Sequence, residues 1–242
     1  MRRFLAIAVL TGTALPLMAH EGHEHVPPML RRQPGPEEED WVTSYYLKPD
    51  PAGLLEKFKK LATDGSLENP SVHAPLIAFI SQVMKANPKR IAGWLDALEK
   101  LKLGHEELGV FYNAAWFSNT KEARDYFRKK GITAFDDAPP DILKLEPKDP
   151  GVIDMWWGYF FATGSKAPIR RIVDALELTR PGEGSDRLQV ATHGAVRWSL
   201  ASNCRQHPRV MEYCKEILSK LPEAQRATLE KVLAEAEARP AR

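Results

Sequence analysis

From Trp41 onward, apolar residues return at helical spacing along almost the whole chain, and the runs are cut by helix punctuation rather than by hairpin turns. Leu54, Leu55, Phe58 and Leu61 form one stripe behind Pro49-Asp50-Pro51, with Asp50 placed as N-cap and Asp64-Gly65 as the stop. Asn69-Pro70 opens a second run, carrying Leu76, Ile77, Phe79, Ile80, Val83 and Met84. Asn87-Pro88 closes it and starts a third, with Ile91, Trp94, Leu95, Leu98 and Leu101. Further helices are predicted over 108–117, 120–130, 152–163, 168–178, 186–203, 210–221 and 223–238. Residues 131–150 are richer in Pro and acid and read as a loop with a short helix at 142–145. No alternating β-rich stretch of useful length interrupts the series, so the chain must fold by packing helix on helix.

Three of these helices end in similar words: Trp116-Phe117-Ser118-Asn119, Phe161-Ala162-Thr163-Gly164 and Leu200-Ala201-Ser202-Asn203. Asn and Gly tolerate the left-handed conformation that closes a helix. The words recur at about 40–45 residues, the range of two-helix repeats. The expected architecture is all-α: a compact array of antiparallel helix pairs resembling an α-solenoid or HEAT-like superhelix. Val152 to Thr163 is apolar nearly all round and is expected at the centre.

Asp154 to Gly164 and Ala195 to Asn203 also resemble segments of an uncharacterised group of exported all-helical proteins from Gram-negative bacteria. The resemblance spans about Trp41 to Leu221. It implies a helical fold and an exported location, and it carries over no catalytic residue.

The N-terminus points to the same compartment. Arg2 and Arg3 precede an apolar run from Phe4 to Leu17, and Leu17-Met18-Ala19 offers a cleavage site. Residues 1–19 therefore read as a secretory signal peptide. The run is too short for a membrane span, which takes about 20 apolar residues. Residues 20–40 combine histidines, four prolines and the acidic run Glu37-Glu38-Glu39-Asp40, and are expected to form a disordered tether. Residues 41–242 make a single helical domain. The expected location is periplasmic, with release from the cell as the other outcome. The full chain has 34 Lys and Arg against 32 Asp and Glu. Cleavage after Ala19 removes two arginines and balances the charge. That balance argues against nucleic acid or an anionic membrane as partner.

Chemistry is sparsely advertised. His20-Glu21-Gly22-His23-Glu24-His25 is the sharpest candidate. Cleavage after Ala19 would give His20 a free amine beside its imidazole, and His23 or His25 could add a further nitrogen. Such a donor set suits Cu(II), Ni(II) or Zn(II). Cleavage one residue later would place His23 third from a free amine, another square-planar arrangement. His193 and Arg197, four apart on one helix, read either as an anion site or as a pair reaching an acid on a neighbouring helix. Asp154 is either a buried acid of raised pKa or a first-turn residue stabilised by the helix dipole. Together Asp154, His193 and Arg197 would make a polar cleft if they converged. Cys204 and Cys214 flank the break at Gln206-His207-Pro208. They read either as a disulfide across a helical hairpin or as two small buried side chains. No H-E-x-x-H, G-x-S-x-G, P-loop, G-x-G-x-x-G or C-x-x-C occurs. The sequence thus favours an exported, non-enzymatic binding or scaffold protein with a protein or peptide partner. The alternative is a periplasmic Cu, Ni or Zn binder using its N-terminal histidines.

Overall fold

Side chains that accept backbone N–H groups set many of the helix starts. Residues 41–238 are described by a computed structural model. A short α1 (Trp41–Ser44) runs into a 3-10 turn, Tyr45–Leu47. Then follow α2 (Leu54–Thr63), α3 (His73–Ala86), α4 (Ile91–Glu99), α5 (His105–Phe117) and α6 (Lys121–Lys130). After a long connection come α7 (Pro150–Thr163), α8 (Lys166–Leu178), α9 (Arg187–Gln206), α10 (Pro208–Leu218) and α11 (Glu223–Ala238). Among the described residues there is no strand, and no helix is long and apolar enough to cross a membrane. The expected leader, tether and His20, His23 and His25 lie outside the described residues.

Thr120, Asp149, Ser165 and Asp186 each accept an N–H from the first turn of the helix they open. Asn69 does the same for a 3-10 turn, Pro70–Val72, that leads into α3. Asp50 differs from its expected role. Its carboxylate binds the N–H groups of Ala52 and Gly53, which shapes the turn before α2 while Gly53 takes the N-cap position.

The centre is α3, not α7 alone. Every residue from Pro75 to Met84 is buried, and α3 packs against both α5 and α7. The crossing with α7 is close because Gly158 has no side chain. A Cβ there would overlap the Pro75 carbonyl oxygen and lie 2.9 Å from its carbon and 3.1 Å from the Phe79 nitrogen. Around this crossing Phe79, Trp156 and Phe160 are wholly buried. Each such side chain contributes roughly 1.5–3 kcal/mol of transfer free energy. The second half forms around α9, which packs on α7, α8, α10 and α11.

The repeated helix-end words have unequal fates. Asn119 and Gly164 are left-handed, with φ of 50° and 62°. Asn203 closes nothing: α9 continues to Gln206, and Asn203 is fully buried inside it. Its amide donates to the Ser199 carbonyl. The third word is therefore a packing element of a longer helix.

Candidate functional site

The most unusual polar environment lies where α9 gives way to α10. The break arises because Pro208 cannot continue α9 but suits the first position of α10. His207 sits between them, 7% exposed, and its N–H bonds the Asn203 carbonyl. Its ring lies against Phe161 at 5.3 Å and Phe160 at 6.2 Å between centroids. Nδ1 is 3.3 Å from the Tyr46 hydroxyl, while Nε2 is buried without a partner. An imidazolium would leave a charged N–H with no acceptor. Burial accordingly holds the His207 pKa down to about 4.

Neighbouring groups close this region over. The Arg209 guanidinium lies 5.1 Å from the Tyr46 ring centroid. Tyr213 donates to the Gly164 carbonyl at 3.0 Å. The sulfurs of Cys204 and Cys214 are 3.7 Å apart, and both residues are buried. Sequence reading marked the break and its cysteines. It gave no role to Tyr46 or to His207 itself, because their contact spans 161 positions.

Asp154 is also buried, 7% exposed. With Asp149 as N-cap and Pro150 first, it lies in the second turn of α7, so the first-turn placement is corrected. It falls between Gly151 and Gly158 on the stripe that meets α3. Among the described residues no hydrogen bond or ion pair reaches its carboxylate. Burial first, and then the Asp149 charge, push its pKa up to about 7.

His193 and Arg197 have partners of their own. Thr179 donates to the Ala175 carbonyl and lies 3.2 Å from His193 Nδ1, so that nitrogen carries the ring proton. Burial and the Arg197 and Arg180 charges hold the His193 pKa below its ordinary range. Arg197 pairs with Glu235 of α11 at 2.5 Å, the reach to a neighbouring acid that was one of its two readings. Among the described residues no hydrogen bond or ion pair links Asp154 to either of them.

A further network was not anticipated. Glu99 of α4 accepts from Tyr112 of α5 at 2.5 Å, and from Tyr126 and Lys130 of α6 at 2.7 and 2.6 Å. Burial works to raise its pKa, but Lys130, Tyr112 and Tyr126 hold it below the usual value. Every donor here is matched, so the network ties three helices.

No protein-family model matches the chain, and neither the curated proteins nor the solved structures yield a significant match. Function must therefore be argued from the residues. Among the described residues no three His, Cys, Asp or Glu side chains gather as a metal site. Asp154 and His207, whose titration burial displaces in opposite directions, are each only 7% exposed. The notable open feature is apolar. Among the described residues five large hydrophobic side chains are exposed, and three flank the α8–α9 connection: Leu178 at 61%, Leu188 at 48% and Val190 at 51%.

Proposed function

We propose that this chain is an exported binding or scaffold protein, without catalytic chemistry of its own, that docks a protein or peptide through the α8–α9 end. The carrying observation is the exposure of Leu178, Leu188 and Val190 beside one connection. Large apolar side chains left in solvent close to one connection are a feature of interaction sites. Arg180, Glu183 and Arg187 are exposed in the same stretch of chain. Glu177 and Thr228 hold Arg180 in place, so the surface is preorganised. Export rests on the leader-like residues 1–19, and arrangement as stacked helix pairs rests on the two words that do close helices, at Asn119 and Gly164.

Site-specific photocrosslinking tests the docking reading. A photoreactive residue at position 188 should give one discrete adduct in cells, and the same residue at exposed position 85 should not. Leu178→Ser with Val190→Ser should abolish the adduct while leaving Tm within ~2 °C. Absence of an adduct, or one indifferent to these substitutions, would sink the proposal.

The second reading is a Cu, Ni or Zn handler, favoured by three histidines within His20 to His25. Metal content of the exported protein would test it. Near-stoichiometric metal, lost in the variant with alanine at 20, 23 and 25, supports a metal protein; failure to take up copper or zinc from a competing buffer removes that reading.

A further inference from the structure

We infer that Cys204 and Cys214 form an intramolecular disulfide that staples α9 to α10 across the Pro208 break. Cys204 lies in the last turns of α9, and Cys214 lies almost two turns into α10. Their sulfurs already touch at 3.7 Å with no side chain between them. A disulfide needs about 2.05 Å, so under ~2 Å of sulfur travel closes it, within the reach of small side-chain rotations. The other use of paired thiols, holding a metal, requires further ligands, and no third His, Cys, Asp or Glu joins them among the described residues.

Closure is a two-electron oxidation. One cysteine thiolate attacks a small-molecule or protein disulfide, R–S–S–R, and expels one R–SH as a mixed disulfide forms. The second thiolate attacks the protein sulfur of that mixed disulfide and expels the second R–SH. Both protein protons and both electrons end on the two released thiols. In the packed state neither sulfur is open to an oxidant, since Cys204 is 4% and Cys214 0% exposed. The contact with Cys204 and burial also push the Cys214 thiol far above its ordinary range. The bond therefore forms while the α9–α10 hairpin is still loose, and packing then shields it. Its position matters because His207, one turn past Cys204, is the residue that Tyr46 contacts. The staple thus fixes the seat of the N-terminal segment.

The test uses the full chain and does not depend on export. Reduced, denatured protein is refolded in a glutathione and glutathione-disulfide buffer, then denatured and alkylated. The expected product takes no alkyl group unless first treated with reductant, and then takes two. Its Tm should exceed that of the same chain refolded under reductant by roughly 5–10 °C. Recovery of two free thiols, or of glutathione mixed disulfides, from folded protein would overturn the inference. Slow oxidation of protein already folded under reductant, beside fast oxidation during refolding, would further support the order of events. Fast oxidation of the folded form would refute that order.

Discussion

The hydroxyl of Tyr46 lies 3.3 Å from Nδ1 of His207 and joins the first described segment to the α9–α10 junction. This contact places an imidazole where its charge is costly. His207 is neutral in the folded state with a pKa of about 4, against an ordinary 6.5. The unfolded chain takes up the proton first, so stability is lost as pH falls from 6.5 towards 4. The loss approaches about 3 kcal/mol. In His207→Phe the loss over that window should largely vanish, as read from urea unfolding at several pH values. An unchanged pH profile would show that another group drives acid unfolding.

Asp154 acts in the opposite sense. Its folded pKa of about 7 lies above the ordinary 3.8, so the folded state binds the proton more tightly than the unfolded chain. Stability is greatest below pH 4 from this group and declines as pH rises through 7, by about 4 kcal/mol at most. Asp154→Asn should therefore raise Tm at pH 8, with the gain shrinking towards zero near pH 4. A variant no more stable at pH 8 would mean that its carboxylate is compensated.

These two residues also show what the sequence can and cannot convey. Helix positions were legible because Asn-Pro, Asp-Gly and single cap residues act locally: Thr120 and Asp186 cap at the starts of the predicted helices, whereas Ser165 opens α8 two residues before the predicted start. The inward faces followed from the same periodicity, as with Ile91, Trp94, Leu95 and Leu98, all buried. Leu101 did not follow, because α4 stops at Glu99 and leaves it 37% exposed. Contacts between distant helices left no local trace. Nothing near Asp154 tells that its stripe meets α3, and nothing near Glu99 announces two tyrosines from α5 and α6. Val190, an apolar residue inside the predicted helix 186–203, stands in solvent, which only the packing shows.

Two glycines should respond oppositely to the same substitution. Gly158→Ala must separate α7 from α3, because its Cβ would strike the Pro75 backbone. A loss of about 3 kcal/mol is expected in urea unfolding. Gly194→Ala meets nothing within 4 Å on an exposed turn of α9, and should gain roughly 0.5–1 kcal/mol. Equal effects at both sites would contradict the close α3–α7 crossing.

Glu99→Gln keeps the shape of the α4–α6 network but removes its charge. The hydrogen bonds from Tyr112, Tyr126 and Lys130 then lose their ionic partner. Stability should fall by about 1–2 kcal/mol at neutral pH. Raising the salt concentration should recover little of it, because Glu99 is only 27% exposed at its side chain. Salt-sensitive stability in the parent protein would instead mark the pair as an ordinary surface contact.

The stretch from 131 to 149 holds no α-helix, yet it is fastened along its length. Trp116 donates its indole N–H to the Asp137 carbonyl, Trp156 donates to that of Ile142, and Arg171 to that of Leu145. Phe135 and Ile142 are buried as well. A connection read from composition as a loop with a short helix holds the 3-10 turn Ile142–Lys144 and is tied down on both sides of it. Two indoles and one guanidinium, from helices on either side of the connection, hold its carbonyls in place.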